Sequence, residues 1–121
     1  MTAPRVLIVD DNPMNLELAE VVLLAEDFEV ETAIDGLDAI RKVASFVPDL
    51  ILMDIQLPGL DGLELTRMLK ADSATQTIRV VAFTAFAMRG DEAKMRDAGC
   101  VGTLTKPIDV KRFGAQVRAF L

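Results

Sequence analysis

The sequence predicts an α/β fold, a doubly wound (βα)5 three-layer sandwich with a five-stranded parallel sheet at its centre. Three observations carry this. Leu50-Ile51-Leu52-Met53 and Val6-Leu7-Ile8-Val9 are apolar runs too short for helices and rich enough for strands buried on both faces. A strand-like run followed by a helix-period segment recurs five times. The connections between them are short, which favours parallel strands, right-handed crossovers and helices on both sheet faces.

The elements follow in order. Arg5–Val9 is a buried strand ending in Asp10-Asp11-Asn12. Pro13 suits the first turn of a helix, and Asn12 or Asp11 can cap it. That helix runs to about Glu26 with Leu16, Ala19, Val22 and Leu23 on one face. Leu18, Val21 and Leu24 widen the apolar arc, predicting a broadly buried helix, with a partner surface as the alternative. Asp27 stands where a left-handed residue ends the helix. Phe28–Ala33 alternates apolar and acidic residues, as a half-exposed edge strand does.

Asp35-Gly36 is read as a turn, and Leu37, Ile40, Val43 and Ala44 mark the next helix, closed by Pro48. After the central strand, Pro58, Gly59, Asp61 and Gly62 impose a loop. Gly62 to about Ala71 is a third helix, and Asp72–Thr77 a polar loop. Ile78–Phe83 is a strand ending at Thr84. Ala85–Met88 reads as a small, apolar, mobile segment. Arg89–Ala98 is a polar helix ended by Gly99. Cys100–Thr105 is a weaker strand, and Lys106-Pro107 closes it. A last helix starts at Asp109 with Val110, Phe113, Val117 and Phe120 facing in.

At 121 residues the chain is expected to be one domain, residues 1–121. A formal net charge of −6 argues against direct nucleic-acid binding by the overall field. The single cysteine, Cys100, forms no internal disulfide and reads as a buried small hydrophobe in a reducing, cytoplasmic setting. No signal peptide or membrane span is recognisable. Histidine is absent, which removes His-based catalysis and the commonest zinc sites.

Ligands of open α/β sheets bind at the carboxyl ends of the strands. Here those ends carry Asp10 and Asp11, Asp54, Thr84 and Lys106. Asp54 is thus a reactive group or part of a metal site. Three clustered carboxylates repel and call for a cation, and a hard divalent ion such as Mg²⁺ suits oxygen ligands. Lys106 adds a positive charge and Thr84 a hydroxyl donor, so an anion attached at Asp54 would be held by all three. That set suits phosphoryl transfer onto a carboxylate, a nucleophile that needs no base. Each signal is weak alone; their order along the strand ends is what is specific.

Val9-Asp10-Asp11-Asn12, Met53-Asp54-Ile55-Gln56-Leu57-Pro58 through Gly62, Thr84-Ala85 and Lys106-Pro107 together resemble the receiver domain of two-component response regulators, over essentially the whole chain. The resemblance implies a flavodoxin-like fold, Asp54 as phosphoacceptor, and Mg²⁺ held by Asp10, Asp11, Asp54 and the main-chain carbonyl of Gln56. It implies that Thr84 and Lys106 sense the phosphoryl group, that small Ala85 leaves the acceptor accessible, and that the Lys106–Pro107 bond is cis. Receivers often carry an aromatic switch residue three positions before the lysine; here that position is Thr103, so coupling to the output face is weaker or runs through Phe86 or Met88.

The expected function is a switch phosphorylated by a histidine kinase or histidine phosphotransfer protein. It would signal through the face of the Arg89–Ala98 helix, the fifth strand and the last helix. The chain stops soon after that helix, so a stand-alone regulator is expected, with a receiver of a larger protein as the alternative. A relay carrier is a further reading, motivated by the wide apolar arc of the first helix. An aspartyl-phosphate phosphatase would need an acid where Gln56 stands, and a flavodoxin-like cofactor binder would want a phosphate loop where Asp10-Asp11-Asn12 stands.

Overall fold

The computed structural model describes residues 3–59, 61–85 and 89–121, without the side chains of residues 89–91. In chain order the elements are β1 (Arg5–Val9), α1 (Pro13–Ala25), β2 (Glu29–Ala33), α2 (Gly36–Phe46), β3 (Leu50–Met53), α3 (Gly62–Ala71), β4 (Arg79–Thr84), α4 (Arg89–Ala98), β5 (Gly102–Thr105) and α5 (Phe113–Arg118). The five strands are all parallel in the order β2-β1-β3-β4-β5. The strand order reverses direction between β1 and β3, the switch point at which open sheets bind ligands.

The sheet divides the core in two. One half joins Leu7, Val9, Ile51 and Met53 to Ala39, Val43, Leu65 and Leu69 of α2 and α3, with Met95 of α4. The other joins Val6, Ile8, Leu50 and Leu52 to Leu16, Ala19 and Leu23 of α1, and to Phe113 and Val117 of α5. Alternate residues of one strand thus serve opposite layers, which is why β1 and β3 read as unbroken apolar runs. Leu50–Met53 is buried throughout, whereas β2 at the sheet edge leaves Glu29 and Glu31 exposed.

Local chemistry sets the helix ends. The Asn12 side chain accepts the Met14 N–H and Pro13 opens α1. Asp27, at φ 68°, takes the left-handed conformation expected of it. Asp35 is the N-cap of α2, its Oδ1 accepting the Asp38 N–H at 2.8 Å, rather than simply a turn residue. Val47 ends α2 at φ 51°, costly for a β-branched residue, where glycine is usual.

Three expectations about buried faces are corrected. Leu18, Val21 and Leu24 are exposed, so α1 is not broadly buried; its inner face is filled by Leu16, Ala19, Val22 and Leu23 alone. On α2, Leu37 and Ile40 lie outward and Gly36, Ala39 and Val43 face the sheet, because small residues allow the helix closer to β1 and β2. The last helix begins at Phe113, not Asp109. The Asp109 carbonyl accepts both the Arg112 and Phe113 N–H groups in a preceding turn, and Val110 is exposed. Phe86–Met88, read as mobile, lie outside the described residues. Among the described residues no helix is long and apolar enough to cross a membrane.

Candidate functional site

Strand register builds the site. Val9 pairs with Met53, and the parallel ladder continues one residue further: Asp54 N–H donates to the Val9 carbonyl at 2.9 Å, and Asp10 N–H to the Ala33 carbonyl at 3.0 Å. Asp10 and Asp54 therefore leave neighbouring strands side by side. On the other flank Thr84 pairs with Thr105, and Lys106 N–H donates to the Thr84 carbonyl at 2.8 Å. Lys106 thus enters the same edge from β5. Its bond to Pro107 is cis, as the resemblance implied.

The side chains converge. Lys106 Nζ lies 2.5 Å from Asp10 Oδ2 and 3.2 Å from Asp54 Oδ2, bridging the two acids. It also sits 5.2 Å from the centre of the Phe83 ring, which adds a cation–π attraction. Asp10 is 1% exposed and Asp54 6%, so the bridge lies largely out of water. Each acid spends its other oxygen on a turn: Asp10 Oδ1 accepts the Asn12 N–H and Asp54 Oδ1 the Gln56 N–H, both at 2.9 Å. Asp11 is exposed, yet it offers a carboxylate oxygen within 4.8 Å of those of Asp10 and Asp54.

Three hard oxygen donors at one rim fit a divalent cation that keeps part of its water shell. Thr84 is buried at the end of β4, while Ala85 and Pro107 are exposed beside the rim. All the sequence-expected site residues therefore lie at one sheet edge. Gln56 adjoins the acceptor through its N–H, which donates to Asp54 Oδ1.

Burial raises the Asp54 carboxyl above the ordinary aspartate range, and the nearby Asp10 charge adds to this; the Gln56 N–H and Lys106 oppose it. A folded pKa above the unfolded one means that the native state holds more protons across the interval between them. Stability therefore falls as pH rises through that window, and the loss persists at neutral pH. Asp54→Asn carries no such charge. It is expected to exceed the unmodified chain in stability at pH 7 by on the order of 1 kcal/mol without divalent ions. Urea melts followed by circular dichroism from pH 4 to 8 check this: the variant's advantage should grow with pH.

Gly62 is the residue whose part in the site sequence reasoning missed. A Cβ there would lie 2.2 Å from the Asp54 carbonyl oxygen and 2.8 Å from Ile55 Cα. The start of α3 thus packs directly on the backbone of Asp54. Gly62 was recognisable as a loop glycine, but the contact joins residues eight positions apart through the turn. A cavity of about 500 Å³ between α2 and α3 includes none of the site residues. Volume does not mark the chemistry here.

A flavodoxin-like α/β sandwich with acids at the ends of β1 and β3 and a lysine after β5 defines the class of protein. The profile of the response regulator receiver domain matches residues 6–118, and the chain belongs to that family. It is similar to the polar-differentiation response regulators DivK of Brucella anthropi and Brucella ovis, each 44% identical over 116 residues and covering 96% of this chain and 94% of the relative. The chemotaxis protein CheY4 of Vibrio cholerae superposes with TM-score 0.94 over 99% of this chain and 100% of its own, at 24% identity, a likeness of fold. A CheY-like receiver domain protein of Methanospirillum hungatei superposes at 0.86 with 26% identity, covering 98% and 93% of the two chains. The chain is therefore a two-component response regulator receiver.

Proposed function

We propose that residues 1–121 form one cytoplasmic receiver domain in which Asp54 accepts a phosphoryl group. The observation that carries this is a buried carboxylate flanked by two further acids and bridged by Lys106 to one of them. The donor is the phosphohistidine of a histidine kinase or histidine phosphotransfer protein. An Asp54 carboxylate oxygen attacks phosphorus. The O–P bond forms as the N–P bond breaks, and the bonding pair returns to the donor imidazole. Lys106 then pairs with the transferred oxygens and the Thr84 hydroxyl donates to another. Asp10, Asp11, Asp54 and the Gln56 carbonyl would hold Mg²⁺, which supplies charge neutralisation for the transferring group. Gln56, two residues after Asp54, leaves no second acid for a phosphatase cycle.

Two surfaces support this reading. Met14, Leu18 and Val21 form an exposed apolar stripe on α1, whose N-terminus adjoins Asp10 and Asp11; it suits a helical phosphodonor. On the far flank Thr103 is half-buried and donates to Met95 Sδ at 3.4 Å, beside a cleft of about 370 Å³ between α4 and β5. The α4-β5-α5 face would engage the downstream partner without an aromatic switch at Thr103. Intact mass after incubation with Mg²⁺ and acetyl phosphate tests the reading. One phosphate adduct is expected, absent from Asp54→Asn and without Mg²⁺. An adduct surviving in Asp54→Asn, or none in any sample, overturns it.

A further inference from the structure

The cavity between α2 and α3 has a buried aliphatic floor of Val43, Leu65, Leu69 and Ile78. Its lip carries Ile40, Val47 and Met68, all exposed. Apolar surface therefore runs from solvent down to the sheet, with about 500 Å³ of room, the size of a small-ligand site. Val47 and Ile78 lie just before β3 and β4, so this groove opens at the amino edge of the sheet, opposite the acidic rim. Asp72 stands at one end of it, at the C-terminus of α3, where the helix dipole is negative and a cation is favoured. Its Oδ1 accepts the Ala74 N–H at 2.9 Å, and among the described residues no cation pairs with it. Lys70, in the last turn of α3, donates instead to the carbonyls of Gln76 and Ile78, at 3.1 and 2.6 Å. At the lip, Val47 holds φ 51°, a conformation that glycine takes freely and a β-branched residue only under strain. Such strain clusters at ligand sites, and the strained side chain here is one that lines the groove.

We propose that this groove binds a small amphiphilic monocation, with its aliphatic body on Leu65, Leu69 and Ile78 and its charged head beside Asp72. The unpaired acid at the negative end of α3 selects the sign of the head, and the aliphatic floor selects the body. Three lip residues alone fall short of the roughly 800 Å² per partner of a stable protein interface. A slender tail, by contrast, reaches the floor. The site is separate from the acidic rim and does not depend on Asp54 as phosphoacceptor. It shares α3 with that rim, since Gly62 at the other end of the helix packs on the Asp54 backbone.

Octylammonium, octanol and octanoate carry one tail under a positive, a neutral and a negative head. Titration of each, followed by two-dimensional NMR of amides and methyl groups, measures binding and places it. Octylammonium should bind about ten-fold tighter than octanoate, with shifts centred on Ile40, Val47, Leu65 and Leu69. Asp72→Asn keeps an acceptor for the Ala74 N–H; it should weaken octylammonium about three-fold and leave octanol unchanged. Val47→Gly should weaken both about five-fold, with a thermal midpoint no lower than that of the unmodified chain, because it relieves the strain at the lip. Met68→Gln makes the same comparison if glycine at position 47 does not fold. Asp54→Asn should bind octylammonium as the unmodified chain does. Equal affinity for all three heads, full binding by the lip variants, or shifts centred on Met14, Leu18 and Val21 would overturn the proposal. Loss of octylammonium binding in Asp54→Asn would overturn it too, by seating the ammonium among the rim acids. So would shifts at Ile40 and Met68 that grow with protein concentration alone, which would give the groove to a second copy of the chain.

Discussion

Lys106→Met is expected to abolish most phosphoryl uptake and to destabilise the resting fold by about 3 kcal/mol. The ammonium is the cation drawn at hydrogen-bond distance to two carboxylates that are both almost fully buried. Methionine keeps the length of the stem against Phe83 but leaves Asp10 and Asp54 facing each other unneutralised. Acid or Mg²⁺ should restore much of the stability, since each relieves the same repulsion. Mg²⁺ should not restore phosphoryl uptake, because the lysine also has to meet the transferred oxygens. Urea melts with and without Mg²⁺, run beside acetyl phosphate labelling followed by mass, separate the two effects. A Lys106→Met chain that is fully stable without Mg²⁺ would show the bridge to be energetically idle.

Gly62→Ala is expected to cost about 2–3 kcal/mol and to slow phosphoryl acceptance at least ten-fold. The added methyl would overlap the Asp54 carbonyl oxygen and Ile55 Cα, both backbone atoms that cannot rotate aside. Either α3 shifts off the sheet or the turn after β3 moves. The second displaces Gln56 N–H, which holds Asp54 Oδ1 at 2.9 Å. A thermal melt reads the first cost and the initial rate of adduct formation the second. Unchanged labelling in a destabilised variant would show that α3 alone yields.

Much of this protein is legible along the chain. The runs at Val6–Val9 and Leu50–Met53, the cap at Asn12, and the acids and lysine at strand ends are local signals, each set by a few neighbouring residues. Parallel pairing then requires only that these strands lie in one sheet for Asp10, Asp54, Thr84 and Lys106 to meet. The acidic cluster was foreseeable for that reason.

Tertiary structure decided which faces are buried. A helical wheel marks apolar residues but not their distance from the sheet. Leu18, Val21, Leu37 and Ile40 belong to the wheels of α1 and α2, yet they are left outside once Ala19, Gly36 and Ala39 bring those helices close. The same holds for Val110, whose segment is a turn fixed by the Asp109 carbonyl. Likewise no pattern announces that Gly62 touches Asp54, that Lys106 divides itself between two acids, or that Asn15 stands 3.5 Å from Asp10. Sequence by itself determined the periodicity, the cap at Asn12 and the chemistry at each strand end, because these depend on residue type and near neighbours. Contact distances, and the sharing of one cation among buried charges, were decided by packing, which depends on the whole chain at once.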